Sequence, residues 1–246
     1  MRRFIFGLIL VFFVAVSVVL YFATAPTERD NLSLSGQEIL PTALPSPTAA
    51  PEATATLAAD TVFQPQNELP LLVNADNPLP EGYKPQELVK LYDQKNRSFE
   101  LSASNIKVEG ETYRAMQKMF SAAADDGVDG FIITSGYRTR KRQRELYEER
   151  QDDTVQLPGC SEHESGFAFD VTARGSGNGF ETTEQFEWLS KHCAEYGFIL
   201  RYPKGKEQET GITYEPWHYR YVGVEVAQEI MSRGITLEAY CAERGA

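Results

Sequence analysis

Two short runs in the second half of the chain carry the residue types of a mononuclear zinc site. They are Ser161-Glu162-His163-Glu164-Ser165-Gly166-Phe167-Ala168-Phe169-Asp170 and Glu215-Pro216-Trp217-His218. Two imidazoles, His163 and His218, and one carboxylate, Asp170, form a three-ligand set that leaves a fourth position open, the feature that separates a catalytic zinc from a structural one. Zn2+ is therefore the expected cofactor. Such an ion can bring the pKa of a water down to about 7, and Glu215 stands where a base is needed to take the proton and pass it to a leaving amine. Arg138, at the exit of a strand, offers a guanidinium fork that suits a carboxylate bidentately. That implies a substrate with a free C-terminus, and so an exopeptidase. Each residue also has a plainer reading: Asp170 paired with an arginine, His218 bonded to a carbonyl, Glu215 as a loop carboxylate, Arg138 as a surface charge. The conjunction of both runs argues against these readings. The third histidine, His192, has no such neighbours and is expected at the surface.

Positioning these groups is a task for the local pattern. Read as a strand, Gly166 to Val171 puts Gly166, Ala168 and Asp170 on one face and Phe167, Phe169 and Val171 on the other. One side is bulky and packs into a core; the other is small and projects Asp170 into open space. His163 folds back from the preceding loop. In a straight strand Glu215 and His218 would point to opposite faces, so a bend is required, and Pro216 marks a strand start or bend. Trp217, Tyr219 and Tyr221 then share the face opposite His218. Upstream, Glu109 to Asp126 has helical spacing with Tyr113, Met116, Phe120 and Ala123 on one face, stopped by Gly127. Phe131-Ile-Ile-Thr reads as a buried strand, Ser135-Gly-Tyr-Arg138 as the turn leaving it, and Thr139 as the cap of a helix to about Arg150. Thr183 to Tyr196 is a further helix closed by Gly197, Phe198 to Tyr202 a strand, Lys204 to Gly211 a polar loop, and Trp217 to Val222 the last strand before two short helices. The mixture lacks regular βαβ alternation, so the expected class is α+β, a single domain with a small antiparallel sheet that carries the zinc site and is flanked by helices.

The 246 residues carry a net charge of −11, with 12 Tyr and 14 Phe to build a core. No basic stripe is present, so nucleic acid is not an expected partner; the cluster Arg138 to Arg144 is followed by acidic residues and reads as solvated charge. Three organisational units are expected: a membrane anchor or signal segment at 1–23, a Pro/Thr/Ala-rich disordered linker at 24–67, and the catalytic domain at 68–246. Phe4 to Ala23 is uncharged and roughly 30 Å long as a helix, while Ala23-Thr-Ala25 resembles a cleavage site. Arg2 and Arg3 hold the N-terminus inside, which exports the rest. The low-complexity linker cannot bury enough apolar surface to offset its ordering entropy. Cys160, Cys193 and Cys241 allow one disulfide outside the cytoplasm, in any of three pairings. The domain is expected to be a monomer.

On the motif residues the chain resembles the D-alanyl-D-alanine carboxypeptidases of the VanY type, in the LAS group of zinc peptidases, whose active-site architecture is shared with hedgehog-type domains. The group's pattern, Ser-x-His-x-x-Gly-x-Ala-x-Asp followed by Glu-x-x-His, is matched at Ser161, His163, Gly166, Ala168, Asp170, Glu215 and His218. Ser135-Gly-Tyr-Arg138, Phe198-Ile-Leu-Arg-Tyr-Pro-Lys-Gly-Lys and Glu215-Pro-Trp-His-Tyr-Arg-Tyr-Val-Gly extend the likeness over roughly residues 69 to 240. The resemblance implies zinc on His163, Asp170 and His218, Glu215 as base, and Arg138 in contact with substrate. It also implies a role for Gln143 and Ser165 in holding the terminal carboxylate. The implied substrates are peptidoglycan stem peptides ending in D-amino acids. An L,D-carboxypeptidase acting on tetrapeptide stems is the near rival. A wall-binding module with structural zinc would have no need of Glu215, and a cysteine nucleophile has no adjacent histidine to activate it.

Overall fold

The computed structural model describes residues 70–150, 155–177 and 179–245. The expected membrane segment 1–23 and linker 24–67 lie outside the described residues. Among the described residues, no helix is long and apolar enough to cross a membrane.

After an irregular lead-in, the chain forms β1 (Leu88–Lys90), β2 (Glu100–Leu101), β3 (Lys107–Glu109), α1 (Gly110–Asp125), β4 (Phe131–Ser135) and α2 (Arg140–Arg150). There follow β5 (Ala168–Ala173), α3 (Glu184–His192), β6 (Phe198–Leu200), α4 (Glu207–Thr210), β7 (His218–Tyr221), α5 (Val224–Arg233) and α6 (Leu237–Glu243). The main sheet has the order β2-β4-β5-β7-β6, and β1 pairs with β3 in a separate antiparallel ribbon. The expected antiparallel sheet is thus mixed at one edge, because β2 runs parallel to β4. Parallel neighbours need a crossover of a dozen or more residues, usually a helix, and α1 supplies it between these two strands.

The apolar stripe of α1 lies in the core as its spacing requires: Met116, Met119, Phe120 and Ala123 are fully buried. Its start is held by Glu109, whose side chain accepts from the Glu111 amide. The Phe120 ring meets Phe99, Phe131 and Phe169 at centroid distances of 5.2, 4.9 and 6.0 Å. Helix and sheet are therefore locked together directly behind the strand that carries Asp170. A second apolar cluster seats Ala227 and Ile230 of α5 and Leu237, Tyr240 and Cys241 of α6 against Ile199.

Local differences from the sequence reading have local causes. Gly166 is not part of a strand; it ends a single 3-10 turn at Glu162–Ser165 with φ +81°, a left-handed conformation that glycine adopts without steric cost. The helix expected over Thr183 to Tyr196 tightens into a 3-10 turn at Cys193–Tyr196, and the polar loop after Pro203 contains the one-turn α4. The allowed disulfide is not formed: Cys160, Cys193 and Cys241 are three separate buried thiols. Burial pushes the Cys193 thiol up to about 12 and also raises Cys160 and Cys241, which leaves none of them suited to nucleophilic work.

Truncation of Phe120 to alanine is expected to destabilise the protein by about 3–5 kcal/mol through lost transfer energy and a cavity. Urea denaturation followed by fluorescence measures this. A loss under about 1 kcal/mol would mean that α1 is not the lid of this core.

Candidate metal centre and active site

Register brings the first two ligands together. Asp170 of β5 lies directly opposite His218 of β7, and side chains directly opposite in an antiparallel pair share a face. Asp170 Oδ1 is 3.0 Å from His218 Nδ1, and Asp170 Oδ2 is 3.4 Å from His163 Nε2. A tetrahedral zinc with bonds near 2.0–2.1 Å holds its ligands about 3.3 Å apart, and the two separations that Asp170 makes with the imidazoles are close to that value. The ligand atoms of His163, Asp170 and His218 all lie within 4.8 Å of one another.

The outer nitrogens are satisfied by the protein. His163 Nδ1 is 2.9 Å from the Gly136 carbonyl, and His218 Nε2 is 3.3 Å from Glu162 Oε2. The Gly136 carbonyl can only accept, so it holds a proton on His163 Nδ1 and leaves Nε2 facing Asp170, the usual outer-shell arrangement of metal-bound histidine. Gly136 serves this through its lack of a side chain. A Cβ there would sit 2.3 Å from the Lys107 carbonyl, so β3 could not approach the turn that holds His163. His163 is further fixed by its carbonyl, which accepts from the Arg138 amide at 3.0 Å.

Glu215 enters through the bend that its spacing demanded. The His218 amide donates to the Glu215 carbonyl at 3.2 Å, closing a turn with Pro216 in its second position. This puts Glu215 Oε2 3.7 Å from His218 Nδ1. Trp217 departs from the expected pattern: it precedes the first strand residue, is 39% exposed and lines the same cavity as Glu215 and His218. Tyr219 alone of the three aromatics is fully buried behind the strand.

Arg138, Tyr202 and Trp217 complete the wall of this cavity of about 370 Å³. Arg138 Nη1 donates to Gln143 Oε1 at 2.6 Å, and Gln143 Nε2 donates to the Gln156 carbonyl at 2.5 Å. Gln143 is fully buried, so it reaches the cavity only through Arg138. Ser165, also fully buried, donates from Oγ to the Glu162 carbonyl at 2.5 Å and accepts from the Phe167 amide at 3.1 Å. Gln143 thus meets Arg138 and Ser165 closes the turn bearing His163, and neither side chain lines the cavity. His192 stacks on Trp188 and meets Glu195 away from this cluster.

The electrostatics divide the carboxylates. Burial alone would raise Asp170, but the two imidazoles outweigh it and hold the group well below the ordinary carboxylate range. Burial likewise opposes ionisation of Glu162, and Arg201 and Arg220 override it. Glu215 has weaker compensation: burial lifts it to about 7, with His218 only partly offsetting. Burial pulls His218 down, yet hydrogen bonds to Asp170 and Glu162 and the charges of Asp170 and Glu215 lift it to about 9. Burial dominates at His163, which is lowered. Two imidazoles, one carboxylate and a nearby buried glutamate of raised pKa define the site of a mononuclear metallohydrolase.

The family described as VanY D-alanyl-D-alanine carboxypeptidase matches residues 105–224. YodJ of Bacillus subtilis is 37% identical over 195 residues, covering 74% of this chain and 69% of that protein. The solved LdcB LD-carboxypeptidase superposes with a TM-score of 0.63 at 34% identity, covering 70% of this chain and 84% of the other. A VanY D,D-pentapeptidase mutant in complex with Zn(II) gives 0.60 at 35% identity, covering 71% and 99%. The chain belongs to the VanY D-alanyl-D-alanine carboxypeptidase family and is a carboxypeptidase.

Because a metal must displace the proton of His218 Nδ1, zinc affinity is expected to fall about tenfold per pH unit as pH drops from about 9 toward 7. Chelator competition across that range measures it. A pH-independent affinity there would show that His218 is not a ligand.

Proposed function

We propose that this protein is a zinc carboxypeptidase that removes the terminal D-alanine of peptidoglycan stem peptides, with His163, Asp170 and His218 as ligands and Glu215 as general base. The single observation that carries the reading is the pairing of a His/Asp/His set, its ligand atoms within 4.8 Å of one another, with a buried glutamate on the same cavity. The Zn(II)-bound VanY neighbour supports the choice of metal. When bound, zinc supplies the Lewis acidity that makes a water nucleophilic at neutral pH and polarises the scissile carbonyl.

The chain's own groups do the remaining work. Glu215, raised to about 7, exchanges a proton near neutrality. It takes the proton of the attacking water and returns it to the nitrogen of the departing D-alanine, so that C–N cleavage yields a neutral amine. Arg138, held by Gln143, aims its guanidinium into the cavity wall and pairs with the terminal carboxylate. This charge restricts the substrate to a free C-terminus. A second cavity of about 680 Å³ shares Val155, Gln156 and Ile212 with the first and leaves room for the body of the stem. The uncharged run Phe4 to Ala23 would hold the domain at the outer face of the cell membrane, or release it if cleaved near Ala25.

A second reading, L,D-carboxypeptidase activity on tetrapeptide stems, has its own support in the LdcB neighbour. The two readings differ in the stereochemistry of the residue before the scissile bond.

Glu215→Gln is expected to lower kcat about 10²–10⁴-fold with little change in KM. D-alanine release from a pentapeptide ending in D-Ala-D-Ala and from the matching tetrapeptide checks both the base and the specificity. Release unaffected by the substitution or by a chelator would refute the mechanism. Since the base must be ionised, kcat/KM should decline as pH falls below about 7, and the nearby cation shifts that limb lower.

A further inference from the structure

The turn that carries His163 also carries a glutamate that neither the ligand set nor the base uses. Glu162 is 1% exposed. Its Oε1 accepts from Arg201 Nε and from Arg220 Nη1, both at 2.7 Å. Its Oε2 is 3.3 Å from His218 Nε2. One oxygen is thus occupied by two guanidiniums, and the other faces the outer nitrogen of a metal ligand. The arginines are anchored in turn. Arg201 grips Glu238 of α6 with both terminal nitrogens, at 2.9 and 2.6 Å, and Arg220 Nη2 donates to the Leu71 carbonyl at 2.5 Å in the lead-in. Both arginines are 1% exposed, so their charges need buried partners: Glu162 serves both, and Glu238 also serves Arg201.

We propose that Glu162, clamped by Arg201 and Arg220, is the positioning residue that fixes His218 with its proton on Nε2 and Nδ1 toward the metal. The inference rests on the zinc reading of the site and is independent of the substrate. An uncompensated carboxylate so deep would not persist in ionised form; two arginines keep it an obligate acceptor. An obligate acceptor at Nε2 selects one tautomer of the imidazole and one ring orientation.

The substitution Glu162→Gln tests this with nearly unchanged volume. The two arginines need an acceptor, which turns the amide oxygen toward them and the NH2 toward His218. Nε2 must then accept, and the imidazole carries its proton on Nδ1, the atom the metal needs. Zinc affinity, measured by chelator competition, is expected to weaken 10–100-fold. Nitrogen-15 NMR of the histidine rings in zinc-loaded wild-type protein is expected to show the His218 proton on Nε2. Unchanged zinc affinity in a folded Glu162→Gln protein would overturn the proposal. If that variant does not fold, a wild-type spectrum with the proton on Nδ1 of His218 overturns it equally. Failure of the carboxypeptidase reading would appear differently, as wild-type protein that binds zinc in this geometry but releases no D-alanine.

Discussion

The pairing of β5 with β7 is the constraint on which the rest of the site depends. Asp170 faces His218 across it, while one residue earlier Phe169 faces Tyr219. Their rings stack at 6.0 Å in the core, and Phe169 also meets Phe120 and Phe198. A slip of one residue in either strand would send an aromatic ring into the polar cavity and a metal ligand into the core. The apolar packing behind the sheet therefore holds the register, and the register brings an imidazole and a carboxylate to the separation a zinc ion requires. Hydrophobic burial is non-directional, but through the strict alternation of a strand it acquires direction.

Around this pair, three buried or half-buried carboxylates occupy one small volume in three different electrostatic environments. Asp170 lies between two imidazoles and stays ionised, as a ligand must. Glu162 lies beneath two guanidiniums and stays ionised as an acceptor. Glu215 hangs from a turn with less positive charge near it, and its pKa rises to about 7. Separation of pKa values by environment is how like residues come to have unlike roles. The burial of Glu162, Arg201 and Arg220 gains little stability, because desolvation opposes Coulomb attraction. Its benefit is geometric: it links α6, the lead-in and the metal ligand into one rigid frame.

Much of this was legible in the residues alone, for physical reasons that can be named. The i, i+3, i+7, i+10 spacing of Tyr113, Met116, Phe120 and Ala123 marked a helix because only a helix places them on one face. Thr139 accepts from the Arg142 amide at the start of α2, a cap whose chemistry is local. The turn before His218 followed from Pro216 and from the need of Glu215 to share its side of the sheet. The nearness of His163, Asp170 and His218 was foreseeable because both runs carry ligand types and Ala168 leaves room on the face of Asp170.

Other features had no local signal. Glu162 and Glu164 flank His163 alike in sequence, yet Glu162 meets Arg201 and Arg220 while Glu164 pairs with Arg140 and accepts from the Gly159 amide. Which glutamate meets His218 depends on arginines that arrive from the end of β6 and from β7, 39 and 58 residues away. Gln143 and Ser165 carried polar groups that suited a substrate, and only the folded chain decided that a guanidinium, a carbonyl and an amide would engage them first. The parallel alignment of β2 with β4 likewise follows from where α1 docks. The sequence by itself determined the runs that bring two imidazoles, a carboxylate and a glutamate, the helical faces and the turns, since these depend on covalent spacing and backbone preference over a few residues. The tertiary structure decided register and partner choice, because those depend on which distant surfaces exclude water together.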